Sequence, residues 1–225
     1  MLHCGLHRRL DQPGQRQVDL LDLEQVDLLA EAAQPVRPFA GQALHLSVAA
    51  GIPSQSISAW LGTERIVRAM PNTPALVGLG MTGLFARSGP GDLGASAADR
   101  ALVERVLAGT GQTLWVAQES QLNAVTALSG SGPAYVFYFL EAMEQAGQQL
   151  GLPADQALQL AIGTFLGASE LAKRSPDAPA VLRERVTSKG GTTYAALSAM
   201  QEANLAGIID DAMHKAAARA AELGQ

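Results

Sequence analysis

The chain is poor in cysteine, in long apolar runs and in positive charge, and each shortage removes a class of protein. One cysteine in 225 residues, Cys4, permits no internal disulfide, which points to a reducing cytoplasm. No apolar run approaches the ~20 residues that cross a bilayer as a helix, so no membrane role is expected. Sixteen Lys and Arg against 21 Asp and Glu leave a net charge of −5, and nucleic acid is not an expected partner. Residues 1–10 are basic but carry no apolar stretch, unlike a secretory signal. His3, Cys4 and His7 lack a fourth nearby ligand, so zinc is not expected there. No His, carboxylate and Ser stand at the spacing of a hydrolytic set. His45 sits in an apolar strand pattern and reads as a core or edge residue, and His214 as a surface or interface one. A chemistry that needs no protein general base, such as hydride transfer to an electrophile, suits this inventory better than hydrolysis.

What is present is globular: 48% hydrophobic and 16% charged residues, enough for one large domain or two small ones. Up to residue 117 the pattern is mixed α/β. Leu20 to Ala33 has helical periodicity, ended by Pro35 and Pro38. Strands are expected at Ala43–Ala50, Arg65–Met70, Gly83–Arg87 and Thr113–Ala117, with helices at Ser54–Leu61 and Ala95–Leu107. The alternation predicts a parallel, doubly wound sheet. From Glu119 strand signals vanish, and helices are expected near 119–127, 132–150, 154–173, 178–187, 192–202 and 204–223. This divides the chain into an α/β domain, 1–118, and an all-helical domain, 119–225. Ala161, Gly163, Gly167 and Ala168 allow close helix crossings, within a bundle or between subunits.

Four stretches carry local signals. Gly78-Leu79-Gly80-Met81-Thr82-Gly83 is a literal G-x-G-x-x-G, but prolines precede it and a strand follows. It reads as a turn into that strand and not as a phosphate loop. Met70-Pro71-Asn72-Thr73-Pro74 ends a strand, where open α/β sheets bind ligands; a rigid loop with a satisfied Asn is the alternative. Ser129-Gly130-Ser131-Gly132-Pro133-Ala134-Tyr135 precedes a long apolar helix, with Ser131 as the expected N-cap and Pro133 in the first turn. Ser188-Lys189-Gly190-Gly191-Thr192-Thr193 precedes another helix. Its amides form either an anion nest for a small carboxylate or a capped helix start, with Thr192 or Thr193 as cap.

The last three stretches, in this order, resemble pyrroline-5-carboxylate reductases. The matching residues are Ala69–Pro74, Ala124–Tyr135 and Thr187–Thr193, within a resemblance that runs from about Leu28 to the C-terminus. The resemblance implies a partial Rossmann-like parallel sheet domain followed by a helical dimerisation domain. It implies NADPH or NADH as hydride donor and 1-pyrroline-5-carboxylate as acceptor, giving L-proline in proline biosynthesis, with a homodimer or higher homo-oligomer as the assembly. Val48, Ala49 and Ala50 match a cofactor-contacting loop, to which Pro71, Asn72 and Thr73 are joined. Glu119, Ser188, Thr192 and Thr193 match the substrate side, where Gly190 and Gly191 amides would hold the carboxylate. The Thr193 hydroxyl would bond the ring nitrogen and is the expected catalytic group.

The chain also departs from that family. A first strand with a glycine-rich phosphate loop is not found, residues 1–25 match nothing in it, and Asp19-Leu20-Leu21-Asp22 stands where an apolar strand is expected. Lys189 occupies a position that is usually proline, and Arg185 one that often carries asparagine. A truncated homologue that keeps the dimerisation and substrate module without cofactor competence is therefore the alternative expectation. Another imine or β-hydroxyacid reductase with the same two-domain plan is a third.

Overall fold

The structure is a computed structural model; it describes residues 30–41, 43–91 and 93–224. Of the expected helix at Leu20–Ala33, residues 30–33 are described and are helical; the remainder, with Asp19–Asp22 and His3, Cys4 and His7, lies outside the described residues.

After the helical residues 30–33 come a single-turn helix α1 (Arg37–Ala40), strand β1 (His45–Ser47), helix α2 (Ser54–Leu61) and strand β2 (Ile66–Met70). A 3₁₀ turn (Thr73–Val77) leads to β3 (Gly80–Ala86), followed by α3 (Ala97–Leu107) and β4 (Gly111–Trp115). The four strands form one sheet in sequence order. β1 pairs parallel with β2, and β3 parallel with β4, each pair joined by a helical crossover. β2 and β3 are antiparallel, a departure from the all-parallel expectation. The connection, residues 71–79, is too short for a parallel crossover, which needs a dozen residues or more. Pro71, Pro74 and a left-handed Gly78 (φ 73°) reverse the chain within it. Gly78 is thus in the turn, as expected, but β3 begins at Gly80, three residues before the expected Gly83.

Alternation along β2 divides the core. Val67 and Ala69 face α3, packing with Leu84, Ala86 and Val103. Ile66 faces α2, packing with Ile52 and Ile57. Arg68 and Met70 share the Ile66 side by the period of two. β1 is shorter than the expected Ala43–Ala50, because residues 48–50 leave the sheet toward a left-handed Gly51 (φ 76°). α3 begins with a capping box: Ser96 Oγ accepts from Asp99 N (3.2 Å) and Asp99 Oδ2 accepts from Ser96 N (2.9 Å).

The rest of the described chain is helical: α4 (Gln121–Val125), continued by a π turn (Thr126–Gly130), then α5 (Gly132–Gln149), α6 (Ala154–Arg174), α7 (Pro179–Arg185), α8 (Thr192–Glu202) and α9 (Leu205–Glu222). α5 and α6 form an antiparallel hairpin in which Ala157 and Ala161 are buried. Gly147 passes so close to Ala157 that an added Cβ would lie 2.8 Å from its methyl. Phe137, Tyr138, Leu160, Leu166, Leu171, Val186 and Ile208 remain exposed along these helices. α9 returns to pack on α4 and the π turn, closing the helical part against the sheet.

Candidate active site

Because β1 and β2 are parallel, the segments that follow them leave from the same edge of the sheet. One carries Val48, Ala49 and Ala50, the other Pro71, Asn72 and Thr73. Ala49 N–H donates to Ser47 Oγ (3.3 Å), tying the first loop to the strand end. Val48 is exposed, and the two alanines leave room above the edge. The third wall is the π turn. Residues 119–130 cross the α2 side of the sheet from the level of Arg68 to that of Asn72, and Val125 fills the space over Gly83.

Asn72 holds this corner together. Its Nδ2 donates to Ser129 O (3.2 Å) and Ser129 Oγ (3.1 Å), and its Oδ1 accepts from Met81 N–H (2.9 Å). The amide side chain is therefore occupied, leaving backbone groups and the exposed Thr73 to meet a ligand. Gly130 sits against the Met70 methyl group, where a Cβ would approach to 2.8 Å. Ser131 occupies the N-cap position of α5 but makes no side-chain cap bond, because its backbone is already helical (φ −84°, ψ −17°). The expected hydroxyl cap is thus absent, and Pro133 alone fits its assigned place in the first turn.

Glu119 lies at the other end of the crossing segment, in a chain of alternating charges and hydroxyls. Its Oε1 accepts from Ser54 N–H (2.6 Å) and Arg68 Nη1 (2.9 Å), and its Oε2 accepts from Ser54 Oγ (2.6 Å). Ser54 Oγ, fully buried, also accepts from Arg87 Nη1 (3.2 Å). Arg87 Nε pairs with Glu64, whose other oxygen accepts from Ser58 Oγ (2.8 Å). Two carboxylates and two guanidiniums make the chain neutral. Burial pushes the Glu119 carboxyl up, but the Ser54 hydroxyl and amide and the Arg68 guanidinium together hold it below its ordinary value. Glu64 is likewise lowered, by Arg87 first and Ser58 second.

The glycine turn before α8 forms the start of that helix. Gly190 takes φ 74°, a left-handed value that suits glycine, and Gly191 is the N-cap. Intrahelical bonding starts only at Ala195 N–H, which donates to Gly191 O (3.1 Å). The amides of Thr192, Thr193 and Tyr194 therefore point out of the helix start. Gly191 N–H is taken by Ser188 O (3.0 Å), so this amide is not one that can bind a carboxylate. Neither threonine caps the helix through its side chain. The hydrogen bonds of the turn are local, and none reaches the sheet. Within one chain, then, the two loops of the sheet edge and the π turn come together, while Ser188–Thr193 stands apart from them. Arg185 Nη1 is held by Asp177 Oδ2 (2.5 Å).

A family model described as pyrroline-5-carboxylate reductase dimerisation matches residues 119–223. The chain is 43% identical over 198 residues to a pyrroline-5-carboxylate reductase of Pseudomonas aeruginosa, covering 88% of this chain and 68% of that one. The chain belongs to the pyrroline-5-carboxylate reductase family. A family member of Pisum sativum is 40% identical over 182 residues, 80% of this chain and 64% of that one. The chain thus spans about two thirds of the length of these relatives. Among solved family structures, that from Coxiella burnetii superposes with a TM-score of 0.81 at 36% identity, covering 90% of this chain and 73% of that one. That from Plasmodium falciparum, solved with NADP bound, gives 0.78 at 26% identity, covering 89% and 79%.

For this reductase-family chain the sequence marks Glu119, Asn72 and the Ser129 stretch that Asn72 binds, but not the chain of partners around Glu119. Ser54, Arg68 and Arg87 were read only as parts of a helix and two strands. The available signal was Arg68 itself, a charged residue on the face of β2 that otherwise carries Ile66 and Met70. The His45 ring Nε2 lies 3.1 Å from Ala40 O, in keeping with a partly buried strand residue. Among the described residues no group of His, Cys, Asp and Glu could hold a metal ion, and no helix is long and apolar enough to cross a membrane.

Proposed function

We propose that this chain reduces 1-pyrroline-5-carboxylate to L-proline with a hydride from NADPH or NADH, in the cytoplasm and as part of proline biosynthesis. The reading is carried by the 43% identity to the Pseudomonas aeruginosa reductase over 88% of the chain. The geometry supports it at both ends. The nicotinamide end of a dinucleotide fits the edge formed by Val48–Ala50 and Pro71–Thr73. The cofactor, when bound, supplies the hydride; the described residues hold no glycine-rich loop for its pyrophosphate.

On the substrate side, the Gly190 amide and the outward amides of Thr192 and Thr193 hold the carboxylate, helped by the partial positive charge of the α8 N-terminus. Ser188 closes that turn. The Thr193 hydroxyl bonds the ring nitrogen as it gains an electron pair, and the proton reaches nitrogen from water, directly or relayed through this hydroxyl. Glu119 accepts one further donor from the substrate. Orienting the imine against the hydride donor provides most of the rate. Residues 119–225 form the substrate and dimerisation domain. Because the glycine turn does not reach the sheet of its own chain, a homodimer that buries the exposed apolar faces of α5–α9 would bring it to the partner's sheet edge.

Turnover tests the reading. The purified chain is expected to oxidise NADPH or NADH only when the cyclic imine is added, with L-proline as the stoichiometric product. Dinucleotide oxidation without proline, or none at all, would refute it.

A further inference from the structure

Glu119 has about four acceptor positions as a carboxylate. Three are filled inside the protein, by Ser54 N–H, Ser54 Oγ and Arg68 Nη1, and one on Oε2 remains. Arg68 is the only one of these partners that carries charge, and its side chain is 13% exposed. The same carboxylate binds the first amide of α2, where Pro53 at the N-cap has no side-chain acceptor. α2 begins immediately after residues 48–53, so Glu119 fixes the far end of the loop that holds Val48, Ala49 and Ala50. A cavity of about 140 Å³ opens beside it, lined by Gly51, Pro53, Arg68, Glu119 and the end of α9.

We propose that Arg68 is a positioning residue that sets both halves of the site through Glu119. It holds the carboxylate so that its last acceptor position faces the substrate, and through Ser54 it fixes the cofactor loop. This rests on the reductase reading above. Arg68 acts through Glu119, the carboxylate to which its guanidinium is bonded. Among the described residues, the charged groups bonded to Glu119, directly or through Ser54, are Arg68, Arg87 and Glu64, which pairs with Arg87; the end of α9 beside the same cavity carries the exposed Arg219–Glu222 pair.

The test is Arg68→Met beside Arg68→Lys, in the full chain. For Arg68→Met, KM for the imine is expected to rise about tenfold with a smaller change in kcat, the scale of one lost charge-assisted bond. The acid limb of kcat/KM moves to higher pH, because Glu119 loses its cation. Arg68→Lys restores part of both. Arg65→Met, which breaks a comparable pair with Asp99 away from Glu119, is expected to cost stability without moving the acid limb. A folded Arg68→Met variant with unchanged KM and unchanged acid limb would overturn the proposal. Amide exchange at Ser54 separates this outcome from a failure of the reductase reading. Faster exchange in Arg68→Met supports the positioning role even in a chain that does not turn over, and unchanged exchange overturns it.

Discussion

Replacing Asn72 by Asp changes one atom type and asks whether the corner of the site rests on that amide. The Met81 N–H fixes the orientation of the side chain, since only its oxygen can accept, at 2.9 Å. Nδ2 therefore faces Ser129 O at 3.2 Å and Ser129 Oγ at 3.1 Å. In Asn72→Asp the Met81 bond survives and the hydroxyl of Ser129 can rotate to donate. The Ser129 carbonyl cannot adapt: it loses its donor and faces a carboxylate oxygen. An unsatisfied, partly buried carbonyl costs ~1–3 kcal/mol, so a loss of about 2 kcal/mol at pH 7 is expected. For a chain of this size that corresponds to a fall in Tm of roughly 4–8 °C. The facing carbonyl favours the neutral carboxyl, so the introduced group has its folded pKa raised above the ~3.9 of an unfolded Asp. The destabilisation is thus complete above the raised folded value and shrinks as pH falls through it, because the neutral carboxyl donates as the amide did. Urea unfolding of both proteins at pH 7 and near pH 4 measures the gap. An equal gap at both pH values, or none at pH 7, would refute the clamp. Weakened dinucleotide binding with wild-type stability would instead make Asn72 chiefly a ligand contact.

Two further substitutions extend the reasoning. Thr193→Ala is expected to lower kcat/KM tenfold or more with the homo-oligomer intact, since a bond to developing charge is worth ~1.5–3 kcal/mol; unchanged efficiency in steady-state assays would remove Thr193 from the mechanism. Asp99, 2% exposed, is held well below the usual carboxylate range by the Arg65 guanidinium first, and by Ser96, against its burial. A depressed folded value means its stabilisation is full above the unfolded pKa of ~3.9 and fades as pH falls through the folded value. Asp99→Asn is therefore expected to lose about 2 kcal/mol at pH 7, with Arg65 partly solvated, and progressively less below about pH 4. A gap independent of pH in thermal unfolding would contradict the pairing.

The sequence by itself determined the family and most of the elements. Three motifs in order, a period of two in β2 and periods of three to four after Glu119 are local properties, legible because alternation and helical spacing act within a few residues. α2, α8 and the ends of α5 and α6 lie within one residue of their expected bounds for that reason. Tertiary structure decided what local pattern does not encode. The antiparallel β2–β3 pairing follows from a connection too short to cross over, which strand propensity does not register. Ser131 looks like a cap but enters α5 from a π turn whose backbone is already helical. Gly191 looks like a carboxylate donor, yet its amide closes the turn on Ser188. Above all, the bond between Glu119 and Ser54 spans 65 residues. No periodicity reports such a contact; it arises only when the α4 segment folds across the sheet and brings a domain-boundary carboxylate to the open end of α2.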